Sequence, residues 1–199
     1  MESEYSPEVA YSAIFEQHYK AINAYTMRRV FSKQNVDDVV SEVFLVAWRR
    51  WDEVSGIDNP LPWLYRVAGN LIRNSHRSDN RRSRLVGKMS SQPEQVFEDP
   101  ALRGESGLVE ALSELSDEEQ EILMLVAWEG LSHSEVAEVL DCSANAVGIR
   151  VHRAKKSLQE VMDVQKNLEN IENSEREDAV VDINGNKTQI SSNLERKNT

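Results

Sequence analysis

Two helix starts stand close together in this chain, and both use the same four-residue code. Ser116 with Glu119 and Ser132 with Glu135 are S-x-x-E capping boxes. In such a box the serine oxygen accepts a hydrogen bond from a backbone N–H of the first turn, and the glutamate reaches back to the N–H of the cap. Each box therefore fixes where a helix begins. Gly130 lies where the first of these helices must stop, and Asp141-Cys142-Ser143 makes a tight corner with Ser143 placed to cap the next helix. Leu125, Leu131, Val136, Ala137, Leu140, Val147, Val151 and Leu158 recur at the spacing that lets three crossed helices share a small core. The last helix then exposes Arg150, Arg153, Lys155 and Lys156. A helical hairpin with a purely structural role has the same apolar pattern. It rarely concentrates positive charge directly after a capped corner, so the order of parts predicts a helix-turn-helix that reads DNA.

A chain of 199 residues with 40% hydrophobic content suits two small helical domains better than one large core. No charged-then-apolar leader opens it and no apolar run approaches a membrane span, which predicts a cytoplasmic protein with no membrane association. Cys142 is the only cysteine, so no internal disulfide or thiolate cluster is expected, and its ordinary role is a small buried residue in the corner. His18, His76, His133 and His152 are scattered without metal-binding spacing. No G-x-S-x-G, phosphate-binding glycine loop, H-E-x-x-H or cysteine-histidine pairing is present. The expectation is a protein that is not an enzyme and uses no metal or other cofactor.

The net charge of -11 is unevenly distributed. From Leu61 to Ser91, Arg66, Arg73, Arg77, Arg81, Arg82, Arg84 and Lys88 face Asp79 alone. Ser143 to Gln159 holds four cations and no acid, whereas Gln92 to Cys142 holds fourteen acids against Arg103. An acidic chain with two basic islands repels phosphate overall while attracting it locally. Its affinity for DNA should depend on a partner.

The N-terminal half reads as helices. Val9 to Phe31 carries Ile14, Phe15, Tyr19, Ile22 and Tyr25 at three- and four-residue steps. In Val36 to Trp51 the residues Val36, Val40, Val43, Phe44, Ala47 and Trp51 share one face, leaving Asp37, Asp38, Ser41, Arg49 and Arg50 off it. Asp52 to Pro62 reads as a loop, and Pro62-Trp63 can open a third helix. Along that helix Arg66, Asn70, Arg73, Arg77, Arg81 and Arg84 form one ridge opposite Leu64, Val67, Ala68, Leu71 and Ile72. Arginines in line with no acid among them would repel one another without an anion, so the ridge reads as a phosphate track rather than a merely solvated face. Gly87 to Gly107 has the composition of a linker. Its roughly twenty residues can reach about 70 Å. From Asp163 onward the chain has the composition of a disordered tail.

Three strings then occur in order: Asp37-Asp38-Val39-Val40-Ser41-Glu42-Val43-Phe44-Leu45-Val46-Ala47-Trp48-Arg49, Pro62-Trp63-Leu64-Tyr65-Arg66-Val67-Ala68-Gly69-Asn70, and Leu115-Ser116 followed by Gly130-Leu131-Ser132-His133-Ser134-Glu135-Val136-Ala137. Together they resemble the extracytoplasmic-function (ECF) subfamily of bacterial sigma-70 factors over roughly Phe15 to Val161. The resemblance implies an all-α fold of two small domains: a three- or four-helix sigma-2 domain at 9–86 and a sigma-4 helix-turn-helix domain at 108–162. A flexible linker at 87–107 would join them, and a disordered tail would occupy 163–199.

The resemblance also implies partners and roles. Asp37, Asp38, Glu42, Arg49 and Arg50 would meet the beta-prime clamp helices of core RNA polymerase, with the beta flap as a further contact of the family. Trp63, Arg66, Asn70, Arg73, Asn74 and Arg77 would serve the minus-10 element, where a base is flipped out at a cost that stacking and edge contacts return, with Trp63 either a wall of that pocket or, the favoured reading, simply core. Ser143, Asn145, Ile149, Arg150, His152, Arg153 and Lys155 would serve the minus-35 duplex in the major groove. An anti-sigma factor is a possible further partner. One departure is Gly148-Ile149, which replaces polar side chains common at base-reading positions and shifts the expected reading toward phosphate contacts and DNA shape. The alternative function is a stand-alone helix-turn-helix regulator, against which the arginine ridge of the N-terminal half argues.

Overall fold

The computed structural model describes residues 6–30, 32–85 and 106–194. Most of the expected linker thus lies outside the described residues, as do the side chains of Arg81, Arg82, Arg84 and Lys88 and the last five residues. The described residues form eight helices and no strand.

In the N-terminal half, α1 (Pro7–Met27) starts with a proline in its first turn, where the missing N–H costs nothing. It ends at Met27, short of the expected Phe31, with Arg28 and Arg29 turning off its end. Helix α2 (Lys33–Arg49) buries Val36, Val40, Val43, Phe44 and Ala47 of the expected face but ends before Trp51, which is half-buried beyond its end. The expected loop contains one short helix, α3 (Trp51–Val54), because the breakers Gly56, Pro60 and Pro62 all lie after it. Asn59 then accepts from the Leu61 N–H at 3.3 Å and α4 (Leu61–Leu85) begins. Leu64, Ala68 and Ile72 are buried on its inner side, with Val67 and Leu71 packed at the edge.

The C-terminal half comprises α5 (Ser106–Ser113), α6 (Asp117–Ala127), α7 (His133–Leu140) and α8 (Ala144–Leu194). Both capping boxes are complete, at Ser116/Glu119 and Ser132/Glu135. Gly130 takes the left-handed φ of 67° expected of a helix stop, and Asp141 takes φ 52° at the corner. Ser143 accepts from the Ala146 N–H at 3.2 Å, capping α8. Leu125, Leu131, Val136, Ala137, Val147 and Val151 are buried as their spacing demands, while Leu140, Leu158 and Cys142 are half-buried against the same core.

Beyond Leu158, α8 continues in helical conformation to Leu194, through the segment from Asp163 onward that has the composition of a disordered tail. Of the described apolar side chains there, Val161 is half-buried and Met162, Val164, Leu168 and Ile171 are exposed. The buried cluster itself is continuous from α1, α2 and α4 into α5 to α8. Helix α7 lies against α4, and the end of α1 against α6. The two halves share one interior.

Candidate polymerase, DNA and interdomain surfaces

Three surfaces emerge from this packing. The first is the outer side of α2. Asp37 and Asp38 are exposed at its first turns. Glu42 accepts from Arg49 at 3.2 Å, and Arg50 pairs with Glu53 at 3.6 Å, both in solvent. Exposed pairs of this kind are weakly held and readily exchanged for a partner's groups. Leu45 and Trp48 are exposed beside them, with Tyr11 edge-on to Trp48 at 5.0 Å between ring centres.

The second surface runs along α4. Asn70, Arg73, Asn74 and Arg77 are exposed on one side, and Arg66 is half-buried at its start. Arg73 donates to Asn70 Oδ1 at 2.7 Å, which ties the two exposed side chains together. Trp63 is buried and donates its indole N–H to Glu53 at 2.8 Å, which fixes the ring beneath the loop that precedes α4.

The third is the outer side of α8. Ser143, Asn145, Ile149, Arg150, His152, Arg153 and Lys155 are all exposed. Gly148 is half-buried, and a Cβ built there would lie 3.7 Å from Nδ1 of His133, the first residue of α7. Gly148 is therefore bordered by the exposed imidazole of the neighbouring helix.

Sequence reasoning missed the contact between the halves. Arg28 Nη2 lies 2.6 Å from Glu129 Oε2, and Arg29 bridges Glu121 at 2.7 Å and Glu129 at 3.2 Å. Tyr25 donates to Glu121 at 2.9 Å and Tyr65 to Glu129 at 3.5 Å, while the Arg29 guanidinium stacks 3.6 Å from the Tyr25 ring centre. Burial disfavours the charge on Arg29, but Glu121, Tyr25 and Glu129 outweigh it and hold the guanidinium more firmly protonated than usual. Burial first, and then the neighbouring carboxylate, push both phenols above the ordinary tyrosine range. Nearby, Asn59 donates to Glu135 at 3.0 Å from the loop before α4. The available signal was the Arg28-Arg29 pair at the end of an apolar helix and two glutamates set among apolar residues of α6 and its C-terminal turn.

Models of two families match this chain: Sigma-70 region 2 over residues 14–82, and Sigma-70, region 4 over residues 107–158. The chain belongs to the sigma-70 family. Among its relatives it is 28% identical over 159 residues to the RNA polymerase sigma factor NccH of Alcaligenes xylosoxydans xylosoxydans, covering 76% of this chain and 86% of the relative. It is 27% identical over 166 residues to the sigma factor YlaC of Bacillus subtilis (strain 168), covering 79% and 95%. It is 28% identical over 152 residues to the ECF sigma factor SigL of Mycobacterium tuberculosis, covering 74% and 85%.

Among solved structures, CnrH in complex with the cytosolic domain of CnrY matches with a TM-score of 0.56 at 26% identity, over 77% of this chain and 88% of that one. The sigma factor RpoE in complex with the anti-sigma factor NepR from Bartonella quintana shares the fold, with a TM-score of 0.62 at 23% identity over 77% and 96%. This sigma factor is of the ECF type. Its function is promoter recognition and initiation with core RNA polymerase, as a transcription initiation factor. Among the described residues no helix is long and apolar enough to cross a membrane, and no cluster of His, Cys, Asp or Glu is arranged for a metal ion.

Proposed function

We propose that the three exposed surfaces divide the work of initiation, and that the polymerase supplies all of its chemistry. The α2 surface, with Asp37, Asp38, Glu42, Arg49 and Arg50, docks on the beta-prime clamp helices. The α4 surface, with Arg66, Asn70, Arg73, Asn74 and Arg77 above the buried Trp63, takes the minus-10 element. The α8 surface, with Ser143, Asn145, Ile149, Arg150, His152, Arg153 and Lys155, takes the minus-35 duplex. Residues 9–86 and 108–162 act as the two domains, in the cytoplasm, and the beta flap and an anti-sigma factor are further partners of the whole.

The observation that carries this reading is the alignment of exposed Asn70, Arg73, Asn74 and Arg77 on one side of α4, on the opposite half from the basic, capped α8. A stand-alone reader needs one such surface, whereas a subunit that holds two elements at once needs two. Gly148 removes a base-reading side chain, so the minus-35 contact rests on phosphates, on Arg150 and on apolar contact from Ile149.

The test is to mix the purified chain with bacterial core RNA polymerase and follow co-migration and transcription from a fragmented genomic library. The unaltered chain is expected to co-migrate and give discrete start sites, and Asp38→Arg to co-migrate weakly while remaining folded. Unchanged core affinity in Asp38→Arg would remove Asp38 from the polymerase surface. Tight sequence-specific DNA binding without polymerase would overturn the division of work altogether.

A further inference from the structure

We infer that Glu53 is a positioning residue for promoter opening: through the indole of Trp63 it fixes the loop at 55–60 beside the minus-10 surface of α4. The inference rests on the minus-10 reading of α4 above.

The bond closes a short ring of chain. Glu53 lies on the single turn of α3, and Trp63 lies in the first turn of α4. Their side chains meet at 2.8 Å across the loop between them, with the indole N–H donating to Oε1 of the carboxylate. The other oxygen of Glu53 lies 3.6 Å from Arg50, the residue that caps the end of α2. On its inner side the loop is held by apolar contact, since Val54 and Pro60 are buried and Ile57 is half-buried. On its outer side Ser55, Gly56, Asp58 and Asn59 are exposed, and a Cβ on Gly56 would meet nothing within 4 Å. The outer side is open to an approaching strand.

Of the two partners, Trp63 is the fixed one. It is 6% exposed, whereas the Glu53 side chain is 47% exposed. A ring held by the core does not follow a surface carboxylate, so the bond draws Glu53, and with it the α3 end of the loop, down onto the start of α4. A charged acceptor makes this bond stronger than a neutral one would, and a buried indole N–H left without an acceptor is costly because water cannot replace it.

The consequence for the minus-10 surface follows from helical period. Trp63 and Asn70 are seven residues apart. That is nearly two full turns, so both stand on one line along α4. Trp63 is covered and Asn70 is exposed, so the cover ends between them. A base turned out against Asn70 has the edge of that cover as its neighbour, and Glu53 sets where the edge stands.

The experiment uses the full chain bound to core RNA polymerase, on a promoter that the unaltered form opens, and compares Glu53→Ala, Glu53→Gln and Trp63→Phe. Permanganate reactivity reports opening, titration onto core reports polymerase affinity, and promoters carrying each base in turn across the minus-10 element report base preference. Circular dichroism reports folding.

Glu53→Ala is expected to reduce opening about fivefold, and to weaken the preference at one minus-10 base by a similar factor, the size of effect that one hydrogen bond carries. Core affinity should stay within about twofold. Glu53→Gln keeps an oxygen that can accept, so it should restore most of the opening. Trp63→Phe keeps a ring and removes the donor, so it should repeat the loss, and joining it to Glu53→Ala should add little because both remove the same bond. Should either variant fail to fold, the other decides alone.

Unchanged opening in Glu53→Ala would overturn the inference. So would a loss that Glu53→Gln shares in full, or equal losses of opening and core affinity with base preference intact. Asn70→Ala, measured alongside, separates the two levels of the reading. If it impairs opening and Glu53→Ala does not, Glu53 loses its role and the minus-10 surface stands. If neither impairs opening, the minus-10 reading of α4 falls as well.

Discussion

The hydroxyl of Tyr25 occupies the space that a side chain at Gly69 would need: a Cβ on Gly69 would lie 2.9 Å from that oxygen. Helix α4 can therefore approach α1 this closely only because position 69 is bare, and the approach aims the Tyr25 hydroxyl at Glu121 in the other half of the molecule.

Gly69→Ala should destabilise the protein by about 1 kcal/mol net. Overpacking costs ~1–3 kcal/mol, and better helix propensity returns ~1 kcal/mol. In a Tyr25→Phe background the oxygen is gone, so the same substitution should be neutral or stabilising. Urea denaturation of the four chains of this double-mutant cycle measures the coupling. Additive effects would show that Tyr25 and Gly69 do not compete for that space.

Gly148 presents the opposite situation. A methyl group at this position would find the His133 ring as its nearest neighbour, at 3.7 and 3.9 Å, which is ordinary contact. Gly148→Ala should raise thermal stability by an amount equivalent to about 0.5–1 kcal/mol through helix propensity. Affinity for a minus-35 duplex should stay within about twofold, since the alanine methyl adds no polar contact. A loss of stability would mean that the backbone here needs glycine for a reason other than space.

Asn70→Ala should impair promoter opening by about tenfold while closed-complex formation changes little. A well-held flipped base returns ~1–3 kcal/mol, and that contact exists only after the strands part. Permanganate reactivity of the minus-10 region measures opening, and gel mobility measures the closed complex. Equal losses in both would assign Asn70 a supporting role through its bond with Arg73.

The capping boxes contribute to the acid sensitivity of the C-terminal half. The Ser116 and Ser157 hydroxyls hold Glu119 below the usual glutamate range, and the Ser132 side chain and backbone do the same for Glu135. A carboxylate whose folded value is depressed adds stability that is present above its unfolded value and lost as pH falls through the folded one. Part of the fall in melting temperature below about pH 4.5 should therefore come from these two groups. Glu119→Gln with Glu135→Gln keeps a residue type the box accepts but removes the titration, so the fall should flatten. An unchanged acid limb would place the sensitivity elsewhere.

The parts legible in the sequence were those governed by local rules. Capping boxes, Gly130, the Asp141 corner and apolar spacing depend on residues a few positions apart, and each took the expected form. The exposed residues of α4 and α8 were readable for the same reason, since a helix ridge is a matter of period. Arg28, Arg29, Glu121 and Glu129 were not, because their meaning arises from partners about a hundred residues apart that no periodicity connects. Trp63 illustrates the middle case: its place at the start of α4 was evident, but only the fold shows its indole N–H committed to Glu53.

Glu135 divides its two oxygens between two tasks: Oε2 closes the cap of α7 on Ser132, and Oε1 receives Asn59. The two bonds use different oxygens, so the cap of α7 does not depend on the bond to Asn59. The helix-turn-helix is thus capped at both of its helices by residues of its own. A piece capped in this way needs no folding step to meet a duplex, which would leave diffusion and the field of its arginines and lysines to set the speed.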